Sequence, residues 1–230
     1  MKDVNATIIL DFKGRTEEEL FNQIKYSRRK GVKVARKAGL YYEQVSSEKD
    51  LEKMYEIHST ILKEGGTTPW AYKRWRTYVD PEKNKFYFIK KENIVVGCFA
   101  LSEITRRVFG IESDEKGIRP IVFANYKEFN NYKPNDFMYW CSIKYAIDNN
   151  YSFLDLGGYQ INPRGHLRGI NFFKEGWGGE IFYYSLDYPF PIAIGRKLIR
   201  NLSFFWWVNV FLKKITGKIS LLFGNATIRS

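Results

Sequence analysis

Two hydrophobic patterns follow one another along the chain: short β-rich runs where strands are expected, and a three- to four-residue spacing where helices are. Residues 7–12 form a short β-rich run and predict a first strand. Thr16 followed by Glu17, Glu18 and Glu19 is a helix start, with a hydroxyl N-cap, acids in the first turn and Glu19 in the capping-box position. Leu20, Ile24, Ser27, Gly31, Val34, Ala35 and Ala38 then recur on one face, predicting a single helix that stops at Gly39. A strand is expected over 41–45. An amphipathic helix follows over 47–63, whose stripe of Leu51, Met54, Tyr55, His58, Ile61 and Leu62 reads as core. Gly65 to Pro69 breaks the chain before an aromatic segment holding Trp70, Tyr72, Trp75 and Tyr78. A hairpin is expected from 86–90 and 94–104, with turn residues at 91–93. Residues 106–117 read as an irregular or hairpin connection, 118–125 as a strand and 135–149 as a helix. A strand over 153–156 ends at Gly157-Gly158. A loop over 159–168 leads to a short helix around 170–175, and 180–186 is the last strand.

Strands and helices alternate without strict βαβ repetition around a long central hairpin, so a mixed sheet flanked by helices is expected. With no internal repeat and no linker-like stretch, the reading is one folded unit over 1–189 and a tail over 190–230. A hydrophobic fraction of 44% with 27% charged residues is globular and excludes wholesale disorder. Aromatics reach 17%, enough to build a core and leave rings for a surface. Cys98 and Cys141 each sit in apolar runs and are expected to be reduced, buried thiols. Beside them stand only His58 and His166, too few for a Cys/His metal cluster, so no metal site is expected. The opening Met1-Lys2-Asp3-Val4-Asn5 has no apolar core of a signal peptide, and a cytoplasmic location is expected.

Charge changes this picture. Thirty-seven Lys and Arg against 25 Asp and Glu leave +12, which favours an anionic partner: nucleic acid, a phosphorylated substrate or acidic lipid. Lys25, Arg28, Arg29, Lys30, Lys33, Arg36 and Lys37 crowd one helical stretch with no acid among them. Charge runs are usually solvated faces, but these cations repel one another over about three turns. An anion-binding role is expected, with Arg28, Arg29 and Lys33 as contacts. The tail from Phe190 onward also lacks acids and carries seven cations around the Phe/Trp-rich run Leu202 to Leu212. That run is well short of the roughly 20 residues that span a bilayer. A basic, amphipathic, Trp-bearing helix suits the membrane surface, with Trp206, Trp207, Arg196, Arg200 and Lys213 as contacts. The alternative is a helix packed on its own domain or on a partner.

Two stretches could carry chemistry. Asp155-Leu156-Gly157-Gly158 ends a strand and leaves backbone without side-chain cover where ligands of open α/β sheets gather. The run Gly169 to Glu180 (GINFFKEGWGGE) sets Lys174 among aromatics and glycines, where an ammonium in an apolar cleft would stabilise an oxyanion or phosphate. Neither fits a P-loop or a dinucleotide-binding glycine motif.

Three motifs, in order, resemble those of the FemAB aminoacyltransferase superfamily. Arg29-x-x-Val32-Lys33-x-Ala35-x-x-x-Gly39 is similar to its basic helix. Tyr139-Trp140 through Ala146 to Asp155-Leu156-Gly157-Gly158 is similar to its helix and Asp-Leu-Gly-Gly element. Phe173-Lys174 with Gly176-Trp177-Gly178-Gly179-Glu180 is similar to its Phe-Lys-x-Gly-Phe-Gly-Gly-Glu signature. The resemblance covers about residues 7–190. It implies an α+β class with a mixed sheet: one GNAT-like acyltransferase domain followed by a C-terminal basic amphipathic helix. It also implies transfer of an aminoacyl or acyl group to an amine of a cell-wall or envelope-polysaccharide precursor. The donor would be aminoacyl-tRNA or acyl-CoA as substrate, with no bound cofactor, and the acceptor an anionic, lipid-linked cell-wall precursor. Lys174 would stabilise charge at the transfer centre and Phe173 would pack beside the donor. Asp155, Gly157, Gly158 and Tyr139 would shape or contact substrate, and Arg29 and Lys33 would face phosphates.

The chain departs from that family. Typical members contain two GNAT-like halves, often with a helical arm. Here only a counterpart of the second half is recognisable, without the arm, so the acceptor pocket would need a second chain, or the chain is a fragment or a reduced relative. No Gln/Arg-x-x-Gly-x-Gly/Ala pyrophosphate loop is present, which argues against ordinary acetyl-CoA binding. The expected function is acyl transfer at the cytosolic face of the membrane. The alternatives are CoA-dependent N-acyltransfer, or a non-catalytic basic module on RNA or anionic membrane.

Overall fold

The computed structural model describes residues 2–12 and 14–201. In chain order the elements are β1 (Lys2–Asp11), α1 (Glu17–Gln23), α2 (Tyr26–Lys37), β2 (Leu40–Val45), α3 (Glu48–Glu64), α4 (Tyr72–Tyr78), β3 (Asn84–Lys91) and β4 (Ile94–Thr105). They continue with β5 (Lys116–Asn125), α5 (Pro134–Asp148), β6 (Phe153–Tyr159), α6 (His166–Glu175), β7 (Glu180–Asp187) and α7 (Phe190–Asn201). The seven strands form one sheet in the order β2-β3-β4-β5-β6-β1-β7. Every neighbouring pair is antiparallel except β5 and β6. Those two run parallel and share only the pairs Gly117↔Phe153 and Ile118↔Leu154, at their amino ends. Beyond that point no backbone ladder joins them, and the next residues are linked through the Arg119 and Asp155 side chains. Pro120, which has no N–H to give, sits where β5 carries an extra residue against β4.

Alternate residues of β3 and β4 feed two cores on opposite faces. Tyr87, Ile89, Phe99 and Leu101 pack under α1, α2 and α5, while Phe86, Phe88, Cys98 and Ala100 pack under α3 and α4. α5 is buried nearly all round, which explains why its sequence is apolar on every face. α2 lies on α5 through Gly31: a Cβ there would come within 2.5 Å of the Asp136 carboxyl carbon. His58 is a core histidine, as its place on the stripe implied. It accepts a hydrogen bond from Trp75 Nε1 at 3.0 Å, and burial lowers its pKa to about 4. Both cysteines are free and buried, and burial pushes both thiols up.

Four local expectations need correction. The expected single helix over 16–39 is two, because Ile24 adopts an extended ψ of 148° and buries its side chain, while the Lys25 N–H bonds to the Gly176 carbonyl at 2.9 Å. β1 begins at Lys2, not residue 7. Its early alternation is masked because the buried residue there is an acid, Asp3. β6 runs through Gly157-Gly158 to Tyr159 instead of ending at them. The beginning of the tail is packed: Ala193 of α7 is buried, and Arg196 bonds Asp3 at 2.9 Å and Asn5 at 2.7 Å across Tyr188. Arg196, expected as a membrane contact, therefore docks α7 on β1 through these bonds. Trp206, Trp207, Lys213 and the Arg200 side chain lie outside the described residues.

Gly31→Ala is expected to force α2 off α5 and cost about 1–3 kcal/mol by overpacking. Urea denaturation of the variant against the parent protein measures this, and an unchanged midpoint refutes the close-packed seam.

Candidate functional site

The site is built around an irregularity in β6. Thr7 pairs with Gly158 and Ile9 with Asp155, so two steps along β1 meet three along β6. The extra residue is taken up at Gly157, whose φ of +77° is left-handed and costs a side-chain-bearing residue strain. The bulge is clamped from within, as the Gly157 N–H donates to Asp155 Oδ1 at 2.8 Å. The same carboxylate accepts from the Thr7 hydroxyl of β1 and the Arg119 guanidinium of β5. Asp155 is fully buried. A charge in such a place persists only when paired and hydrogen-bonded, and here it is both.

α6 brings Lys174 onto this bulge. Its ammonium donates to the Gly158 carbonyl at 2.9 Å, and a Cβ on Gly157 would stand 3.4 Å from it. The helix is held in register by Asn171, which accepts from the Gln160 N–H at 3.0 Å and donates to the Gln160 carbonyl at 2.9 Å. Tyr159 adds a bond to Glu175 at 2.7 Å. On either side of Lys174 in sequence, Phe173 meets the Tyr139 ring edge-on at 5.2 Å and Trp177 stacks on it at 5.4 Å. Burial lowers the Lys174 pKa to about 8, against the opposing pull of Asp155. An ammonium has three donors, and the Gly158 carbonyl engages one of them.

Other candidates are placed differently. Asp155 is fully buried and engaged by Thr7, Arg119 and the Gly157 N–H. Arg28 is not an open anion contact: it bonds Asp136 at 2.8 Å and lies over Phe173 at 4.4 Å, tying α2 to the Lys174 helix. Arg29 and Lys33 do share a surface, lining a depression of about 250 Å³ with Phe21, Asn22, Tyr26 and Lys30. No described carboxylate pairs with these three cations, whereas Arg36 reaches Glu17 at 3.8 Å. Thr7, Arg119 and Asn171 were not anticipated. The only sequence signal was a charge at Arg119 and polar atoms at Thr7 and Asn171 inside otherwise apolar runs.

Neither a protein-family model nor a curated protein matches the sequence. Solved structures do match. FemX superposes with a TM-score of 0.64 at 16% identity, over 78% of this chain and 61% of that one. The C-terminal domain of a protein named for lysylphosphatidylglycerol synthetase, from Agrobacterium fabrum, gives 0.57 at 11% identity, covering 86% and 66%. L-PGS from Bacillus licheniformis gives 0.53 at 11% identity, covering 84% and 64%. The chain has a FemAB/GNAT-like fold. It spans between 61% and 66% of the length of these structures. The mixed sheet of the FemAB/GNAT-like fold and its single parallel pair are where Asp155, Gly157 and Lys174 meet. No described helix is long and apolar enough to cross a membrane.

Within this FemAB/GNAT-like domain, burial raises the Asp136 pKa to about 6, though Arg28 and Lys133 oppose it. Because the folded protein holds that proton more tightly than the unfolded chain, the contribution to stability is present below about pH 4 and lost as pH rises through about 6. Thermal midpoints should therefore show a falling component over this range that disappears in Asp136→Asn. Persistence of the same component in the variant assigns it elsewhere.

Proposed function

We propose that the chain is an acyltransferase that moves an aminoacyl or acyl group onto an amine of a cell-wall or envelope-polysaccharide precursor at the cytosolic membrane face. The observation that carries this reading is the seating of the Lys174 ammonium on the Gly157-Gly158 bulge of β6, beyond the last residues that β6 pairs with β5. The acceptor amine attacks the carbonyl carbon of an activated ester, forming a C–N bond and a tetrahedral centre with a negative oxygen. Collapse breaks the carbon–oxygen bond of an aminoacyl-tRNA, or the carbon–sulfur bond of an acyl-CoA. The leaving group takes up the proton released by the amine. Lys174 donates to the transient oxygen, a role worth about 3–4 kcal/mol for one preorganised donor. Supporting this direction, two structures of the same fold carry the names FemX and lysylphosphatidylglycerol synthetase. Arg29, Lys30 and Lys33 would hold phosphates of the donor or of the lipid-linked acceptor, since three cations without acids meet an exposed Tyr26 there.

Transfer from charged tRNA and from acyl-CoA to muropeptide amines tests both donors. Lys174→Ala is expected to lower kcat about 10²–10³-fold with the fold retained. A cationic Lys174 is needed, so the rate should fall as pH rises through about 8, and Lys174→Arg should abolish that limb while keeping the lower-pH rate. Turnover by Lys174→Ala at the parental rate removes the residue from the mechanism.

The paired substitution Arg29→Ala with Lys33→Ala should raise KM for the phosphate-bearing substrate and flatten its salt dependence, leaving kcat in place. Unchanged KM at low and high salt refutes the phosphate contact.

A further inference from the structure

Thr7, Arg119, Asp155 and the Gly157 N–H take no part in the reaction drawn above, yet their arrangement is directional. Asp155 Oδ1 accepts from Thr7 and from Gly157, and Oδ2 accepts from Arg119. Thr7 belongs to β1 and Arg119 to β5, so the carboxylate is gripped from the strands on both sides of β6. Gly157 cannot leave its bulge without giving up Asp155, and the next carbonyl along is the one that receives Lys174. Arg119 is itself held, its guanidinium 5.4 Å from the Phe109 ring and its side chain largely buried.

We propose that Arg119, with Thr7, is a positioning residue: through Asp155 it fixes the bulge that seats Lys174 and offsets the negative charge facing that ammonium. The inference rests on the reading of Lys174 as the oxyanion donor and deepens it.

The charged and titratable groups on the elements that meet here are Asp155 and Tyr159 of β6, Glu175 of α6, Lys25 and Arg28 of α2, Asp136 and Tyr139 of α5, Arg119 of β5, and Tyr184 of β7, which interacts with both Asp155 and Arg119. Glu175 is engaged by Tyr159, and Arg28 by Asp136. Asp155 is the charge that acts on Lys174, favouring its protonated form against burial.

The test reads Lys174 apart from turnover, by following its Cε signal against pH in lysine-labelled protein. The signal is assigned by its loss in Lys174→Arg. Asp155→Asn removes the negative charge and leaves Arg119 opposite, so the midpoint should fall by about one pH unit. Arg119→Met removes the offsetting cation, so the midpoint should rise by about as much. A merely structural role would loosen the bulge in both variants, admit water and raise both midpoints. Shifts of opposite sign uphold the proposal; shifts of one sign, or none, overturn it. Should Arg119→Met or Asp155→Asn not fold, Arg119→Lys keeps the charge and loses the Nε bond. Amide exchange at Gly157 should then quicken while the midpoint holds, and unchanged exchange overturns the proposal. Turnover is scored separately: Lys174→Ala at the parental rate, together with opposite midpoint shifts, defeats the catalytic reading and leaves the seating intact.

Discussion

A single buried carboxylate organises the middle of this domain. Asp155 is buried away from bulk solvent, so its position depends on donors arriving from Thr7, Arg119 and its own strand two residues on. Satisfying it requires β1 and β5 to lie on either side of β6 and requires β6 to bulge at a residue that tolerates a left-handed backbone. The irregular backbone at Gly157 follows from charge satisfaction in the interior, and the Lys174 ammonium is seated on that irregularity.

The helices converge on the same place from one face. Gly31 lets α2 close on α5, Arg28 bridges the two through Asp136 and covers Phe173, and the extended backbone at Lys25 hands its N–H to the end of α6. A basic helix that reads as a solvated or anion-binding face thus spends one cation internally and keeps Arg29, Lys30 and Lys33 outside. The division tracks burial. Arg28, facing α5, finds the Asp136 carboxylate and Arg36 reaches Glu17, while Arg29, Lys30 and Lys33 pair with no described carboxylate.

Much of the architecture was legible because most elements bury one face. The periods located α3, the β3–β4 hairpin, α5 and β7 to within a few residues. Contacts distant in sequence were not legible. The break before α2 depends on Gly176, the polar start of β1 on Arg196, and the continuation of β6 on pairing with Thr7. The glycine pair and Lys174 stood out as separate stretches by composition, but the bond joining them is a property of the folded backbone. Arg119 and Thr7 gave no usable signal, since one charge or hydroxyl in a β-rich run marks an outward face as often as an inward one.

The place of β1 has a consequence for how the chain assembles. It is the first of the seven described strands in chain order, yet both its neighbours, β6 and β7, come from the last part of the described chain, with Thr7 and Asp155 separated by 148 residues. Until β6 and β7 have been synthesised, β1 has two open edges, a condition that invites wrong pairing. β2 to β5 with α3 and α4 can collapse early around their own core, while the half that carries Asp155 and Lys174 waits on loop closures of high entropic cost. Nascent chains interrupted before β7 would therefore hold a formed hairpin core and an unpaired β1, making the half that holds Asp155 and Lys174 the late and vulnerable one during synthesis.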